Sequence, residues 1–559
     1  MVRQLFSWLE RDVIGVHAAA YLLGFSALLS QILGLLRDRL LAANFGASAP
    51  LDIYYAAFRV QDFVFLSIAS LVSLSVLIPF LSEREAKGKG EMKSFLDSVF
   101  SVFFVAISIA SVAAYLAMPT LVPILFLGFA GGEYERVIVE LSRILLLSPV
   151  FLGVSNLLAS VLQLRRKYFV YALSPLFYNA GIIVGILAFY PRWGLNGLGY
   201  GVLLGAALHL AVQLPAIIRL GFLPRPRIPE SWATIGKVVA LSLPRTLALS
   251  ANHLALVALT AIATLMHAGS IAILAFSLNL QSVAVSIIGA SYSMAAFPVL
   301  AASISQGDRQ EFLRHLYAAA RHIIFWSFPA AILFIVLRAH VVRVVLGAGS
   351  FDWNDTRLTA ACLALLALAI VPQNLTLLFM RAYYALGNTR IPLVAGLLSA
   401  AGTIVAAFSL VPLFESAPEL RFFFESLLRV EDLTGTVVLA LPLALLIGSL
   451  VGFITLILSA PRHFPGLSRA LGATALHSFS AAVVMGFVTY SLLGQLGAFF
   501  GLETVLALFL QAAAAGTVGI AAGVLLLLLF RNEEVEEIGK SIRRRFWKDG
   551  VVASPEQLY

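Results

Sequence analysis

The chain has 559 residues, of which 60% are hydrophobic and only 12% charged, and its mean hydropathy is +0.94. Soluble domains carry about 25% charged residues; too little charge is present here to coat a water-facing surface of this size, which argues against a soluble multidomain enzyme. The net charge of +9 falls in short loops between apolar runs, where it sets membrane topology and meets anionic headgroups rather than nucleic acid.

Residues 1–13, MVRQLFSWLERDV, read as a short amphipathic segment. The apolar run from Ile14 is too long for a signal-peptide core and is expected to persist as a first helix. Runs able to cross roughly 30 Å of hydrocarbon as helices then follow at 14–36, 52–82, 94–118, 137–162, 169–190, 198–220, 234–265, 270–300, 318–346, 357–386, 391–414, 435–460, 470–493 and 499–530. The expected fold is an all-α polytopic membrane protein of about fourteen transmembrane helices. A charged tail, 531–559, closes the chain; its mixture of signs suits a helix lying on the membrane surface or a solvated tail.

Lysine and arginine concentrate after every second span, as in SEREAKGKGEMK and ISQGDRQEFLRH. The positive-inside rule then places both termini in the cytoplasm. A weak internal repeat runs through the chain: YAAFRVQDF and SVLIPFLSE after the first span return as ILAFSLNLQ and MAAFPVLAA after the seventh, pairing Phe58 with Phe276 and Pro79 with Pro298. Six helices separate the copies, so both enter the membrane from the same side, as a parallel repeat. The expected organisation is an N-lobe at 14–230, a C-lobe at 231–465, a central cavity between these six-helix lobes, and two extra helices at 466–530.

Charge at bilayer depth is costly and normally faces a wet cavity or a partner. The second span places Asp52, Arg59 and Asp62 close together, with Arg59 and Asp62 three apart on one helical face. The first span carries Gln31 and ends in Arg37, Asp38 and Arg39. The seventh carries Arg245, Asn252 and His253 after Pro244, which removes a backbone donor and bends the helix. The eighth carries Asn279 and Gln281. Candidate cavity residues are therefore Gln31, Arg37, Arg59, Arg245, Asn252 and Asn279, with Asp38, Asp52 and Asp62 as structural or coupling acids. Arginine is a fork that stays charged and suits phosphate. The alternative is that Arg59 and Asp62 form a structural pair and the others snorkel from helix ends. Cys362 is the sole cysteine, so neither an intramolecular disulfide nor a multi-thiolate metal site is expected. The histidines form no ligand-spaced pair and no P-loop is present, so no metal and no ATP hydrolysis are expected.

Four segments carry a family resemblance: SQILGLLRDRLLAANFGASAPLDIYYAAFR at 30–59, SPLFYNAGIIVGI at 174–186, AVQLPAIIRLGFLP at 211–224 and MRAYYALGNTRIPL at 380–393. In this order, with this span layout, the chain resembles the MurJ/MviN family, the lipid II flippases of the MOP exporter superfamily. The resemblance implies two six-helix lobes around a V-shaped cavity, and a groove for a lipid tail on the last two helices. It implies transport of a polyprenyl-pyrophosphate-linked peptidoglycan precursor to the outer leaflet of the bacterial cytoplasmic membrane by alternating access. It further implies a transporter rather than an enzyme, without cofactor, driven by membrane potential or a coupling cation; the expected partners are the lipid-linked substrate and membrane lipids, and the expected state is a monomer. Arg37, Asp38, Asp52 and Arg59 match family positions of like charge. Gln31, Phe65 and Asn279 fall where the family has arginines. That departure leaves open an exporter of another lipid-linked oligosaccharide or small molecule, or a transport-inactive paralogue.

Overall fold

The computed structural model describes residues 16–69, 74–500, 504–537 and 539. The amphipathic segment expected at 1–13 and all but the start of the charged tail lie outside the described residues. Those described form helices and no strand, as expected for a backbone that must satisfy its own polar groups in hydrocarbon. In chain order the helices are α1 (Val16–Phe45), α2 (Ala49–Ala69), α3 (Leu74–Lys87), α4 (Lys89–Leu125), α5 (Glu133–Leu145), α6 (Ser148–Leu164), α7 (Tyr168–Val184), α8 (Tyr190–Ala211), α9 (Leu214–Leu220), α10 (Trp232–Ala263) and α11 (Ser270–Ala284). They continue as α12 (Ser291–Ser305), α13 (Arg309–Val336), α14 (Arg338–Leu346), α15 (Trp353–Ala367), α16 (Ile370–Ala385), α17 (Arg390–Ser416), α18 (Pro418–Leu428), α19 (Ala440–His463), α20 (Leu467–Phe500) and α21 (Val505–Leu529).

Among the described residues, ten helical stretches are long and apolar enough to cross a membrane, or eleven if the broken pair α15 and α16 is one span. The expectation of about fourteen is thus met in kind and not in count. One stretch, Tyr168–Leu220, is counted once at 53 residues, yet it holds two antiparallel legs. Gly194 breaks it with φ 57° and ψ −144°, and a ladder of glycines joins the legs. A Cβ on Gly181 would stand 2.3 Å from Cα of Gly205, and one on Gly201 would stand 2.4 Å from Cα of Gly185. Small residues let helix backbones approach this closely in lipid, where packing replaces the hydrophobic effect as the driving force. Gly201→Val should therefore cost about 1–3 kcal/mol, at the upper end because the obstruction is backbone. Size-exclusion thermostability in detergent checks it; Gly472→Val, where nothing lies within 4 Å, should leave the melting profile unchanged.

The chain divides into two compact units. The first comprises Met1–Val283, Val345–Leu366 and Asn388–Thr455. One apolar core within it joins Leu77, Leu96, Leu158, Val161 and Val238. One buried polar cluster is tied together by side chains: the Gln213 amide donates to Ser155 Oγ at 2.6 Å and to Ser174 Oγ at 3.1 Å, and Ser155 Oγ meets His209 Nδ1 at 2.7 Å. Cys362 is fully buried in α15, as ordinary packing. At one end of this unit the loops are knitted by backbone. Ser350 N donates to the Ala43 carbonyl at 2.9 Å, and Ala47 N to Asp355 at 3.0 Å. Gly349, at φ 54°, lies so near Ala43 that a Cβ would sit 2.3 Å from its carbonyl oxygen.

The second unit comprises Ala284–Val344, Ala367–Gly387 and Leu456–Tyr559. Here α20 and α21 pack as a pair, with Gly519 against Thr489, and Gly486 of α20 seats on Ile332 of α13. Polar brackets hold them. Gln511 donates to the Leu493 carbonyl at 2.7 Å and contacts His340 Nε2 at 3.2 Å. Glu534, at the start of the tail, accepts from Thr474 at 3.0 Å and pairs with Arg321 at 3.3 Å.

Candidate functional site

Polar side chains converge within the first unit where α1, α2, α7, α10 and α11 approach one another. Arg37, near the end of α1, turns back on its neighbour and donates to Asp38 Oδ1 through Nε at 3.0 Å and Nη2 at 2.8 Å. The other carboxylate oxygen of Asp38 accepts from Asn279 Nδ2 on α11 at 3.0 Å. Arg37 Nη1 reaches Asn179 Oδ1 on α7 at 3.4 Å, and Asn179 donates onward to Ser30 Oγ at 3.3 Å. One carboxylate thus ties helices from both copies of the repeat. The Asp38 side chain is 3% exposed and that of Arg37 is 23% exposed, so the arginine is only partly covered.

A second basic group sits on α2. Arg59 Nε donates to Thr260 Oγ1 on α10 at 3.1 Å, and Ser67 meets Ser250 at 3.1 Å further along the same helices. These pairs run antiparallel and fix the register of α2 against α10. With Nε engaged, the bidentate edge formed by the two Nη nitrogens is the part of Arg59 that a ligand would meet. Asp62, half-buried, acts on Arg59 through its charge. The two clusters share one neighbourhood. Tyr55 lies in the fields of Asp38, Arg37 and Arg59, and Tyr54 and Tyr178 in those of Arg37 and Asp62.

The remaining candidates lie elsewhere. Asp52 is 3% exposed and accepts from the backbone N–H groups of Gly269 at 2.6 Å and Ala272 at 2.8 Å. It caps the first turn of α11, where the helix leaves donors unpaired and carries partial positive charge. Arg245 and Asn252 are exposed on α10. Arg245 is fifteen positions from Thr260 (260 minus 245), about 22 Å along a helix at 1.5 Å per residue, so the structure does not bring it to Arg59. Gln31 is half-buried on α1, six positions before Arg37. Arg39 turns away and donates to the Val345 carbonyl at 3.1 Å. Gln281 donates to the Leu366 carbonyl at 2.7 Å.

Sequence reasoning missed Asn179 and Thr260. A lone asparagine in the apolar helix α7 was a usable signal. Thr260 had none, since threonine satisfies itself inside a helix by bonding a preceding carbonyl, here that of Leu256 at 2.8 Å.

A separate cavity of about 340 Å³ opens among the loops of the first unit, lined by Ala47, His267, Ser270, Asp352, Asp355 and Asp432 among others. Its acids are engaged structurally. Asp352 caps α15 by accepting from Asp355 N at 2.8 Å. Arg357 clasps Asp432, with one contact at 2.7 Å, and holds that carboxyl below the usual carboxylate range.

Comparison with known proteins bears on what these clusters serve. The sequence model of the family described as lipid II flippase MurJ matches residues 41–510. A probable lipid II flippase MurJ of Rhizobium tropici is 26% identical over 379 residues, 66% of this chain and 71% of that relative. The lipid II flippase MurJ of Burkholderia cenocepacia is 24% identical over 377 residues, 66% of this chain and 73% of that protein. Among solved structures, a lipid II flippase MurJ in an inward closed conformation superposes with a TM-score of 0.70 at 22% identity, covering 93% of this chain and 99% of that one. An inward-facing multidrug-resistance MATE transporter of the MOP superfamily superposes at 0.60 and 15% identity, covering 78% and 96%. These superpositions establish a shared fold.

Proposed function

The chain belongs to the lipid II flippase MurJ family, and we propose that it moves lipid II, a polyprenyl-diphosphate-linked peptidoglycan precursor, from the cytoplasmic to the outer leaflet by alternating access. It is a multi-pass membrane protein of a transporter family. The family match across residues 41–510 carries this reading. The polar groups buried around Arg37 and Arg59 support it, because a sugar diphosphate crossing hydrocarbon must exchange its hydrogen bonds to water for others. Arg37, Arg59, Asn179 and Asn279 are the groups we assign to that exchange. The polyprenyl tail stays in lipid or along α20 and α21, whose outer faces carry Leu476, Phe487 and Leu525 exposed.

Rocking of an N-lobe at 14–230 against a C-lobe at 231–465 would expose the headgroup to either side in turn. Both termini are assigned to the cytoplasm from the basic loops. We assign no cofactor and no ATP hydrolysis, and the energy source to membrane potential or a coupling cation. The test is replacement: a bacterium depleted of its own lipid II flippase is supplied with this chain. Restored growth, with lipid II reaching the outer leaflet, is expected. Lysis, with the chain present in the membrane at normal abundance, would overturn the assignment.

A further inference from the structure

The charges of the central cluster cancel. Arg37 and Arg59 contribute two positive charges, and Asp38 and Asp62 two negative ones, with histidine counted neutral. Asn279, which binds Asp38 Oδ2 at 3.0 Å, adds no charge. Asp52 is spent on the start of α11, and Arg245 lies about four helical turns from Thr260. A diphosphate diester carries two negative charges, and a desolvated dianion needs a counter-charge.

Arg37 cannot simply be handed over. Its partner Asp38 is buried, and drawing the guanidinium away would leave that carboxylate with only a neutral amide, the costly way to break a buried pair. Asp62 is different. It is half-buried, it stands three residues from Arg59 on one helical face, and no hydrogen bond of the kind that engages Asp38 or Asp52 is described for it.

We propose that this site takes its diphosphate together with a divalent cation, held between the phosphate oxygens and the Asp62 carboxylate. The inference rests on the flippase reading above and names the form in which the headgroup is recognised. Magnesium is the fitting class of ion: it is commonly held by one or two carboxylates plus substrate phosphates and keeps several waters. Among the described residues no three His, Cys, Asp or Glu side chains converge as a metal cage. On this proposal the ion arrives with the lipid. The bridge lets Arg37 keep Asp38 and satisfies Asp62, while Arg59 offers its Nη edge to the phosphate.

The test uses the full-length purified chain and a short-chain lipid-linked sugar diphosphate, with binding measured in magnesium chloride and in EDTA at matched ionic strength. The wild type should bind about tenfold more tightly, or better, with magnesium. Asp62→Asn makes the cluster net positive and should bind in EDTA as tightly as the wild type does in magnesium. Asn279→Arg also adds positive charge, should likewise lose the magnesium requirement, and carries the test if Asp62→Asn does not fold. Because the lipid is the same throughout, a variant that loses the dependence separates the protein's cation from ions merely bound to the headgroup. Equal wild-type binding in both media overturns the bridging cation and leaves the flippase reading standing. Magnesium dependence surviving in Asp62→Asn overturns the assignment to Asp62. No binding of the diphosphate in either medium overturns both.

Discussion

Arg59→Ala should slow translocation about a hundredfold while the chain still folds and inserts. The two Nη nitrogens of Arg59 offer paired charge-assisted bonds to a phosphate, worth about 1.5–3 kcal/mol each. Losing on the order of 3 kcal/mol at the headgroup's passage lowers the transport rate roughly a hundredfold. Initial rates in proteoliposomes, at matched reconstituted protein, measure it. Arg59→Lys keeps the charge and loses the fork, so it should retain about a tenth of the rate. Thr260→Val removes only the partner of Nε and should cost less than either. Full activity of Arg59→Ala would remove Arg59 from the substrate's path.

Asp52→Ala should be strongly destabilising. It strands the buried N–H groups of Gly269 and Ala272. Loss of an N-cap costs about 0.5–2 kcal/mol, and leaving buried donors unsatisfied adds about 1–3 kcal/mol; a total of roughly 2–4 kcal/mol is expected. A melting temperature lowered by several degrees, by a thiol-independent fluorescence assay in detergent, checks this. Asp52→Asn offers a carbonyl oxygen to the same turn and should recover most of the loss. The same variant separates capping from ion coupling: near-normal transport by Asp52→Asn is expected. A stable but inactive Asp52→Asn would instead make Asp52 a coupling acid.

The all-helical membrane fold was legible because apolar length and basic loops are direct imprints of a bilayer. The site was only partly so. Hydropathy shows that Arg59 and Arg245 lie on membrane helices, and is silent on depth. α2 begins and α10 ends at the same end of the first unit, since Asp52 binds Gly269, just beyond Ala263. From there the pairs Arg59–Thr260 and Ser67–Ser250 run inward in step and leave Arg245 far along. The register between the two helices, rather than membership of a helix, was the missing criterion. Asn279 illustrates the other limit. Its place on the eighth span was evident, but its bond to Asp38 spans 241 positions, and no local pattern encodes such a pairing.

The knitted end of the first unit sets a threshold for work. Parting its elements there means surrendering the bonds from Ser350 to Ala43, Ala47 to Asp355, and Gly269 and Ala272 to Asp52. At about 1 kcal/mol net for each of these four bonds, the latch holds with roughly 4 kcal/mol. A voltage of 100 mV delivers about 2.3 kcal/mol per elementary charge crossing the membrane. One charge falls short of that threshold and two exceed it, so a gate at this end driven by voltage would move about two charges per opening.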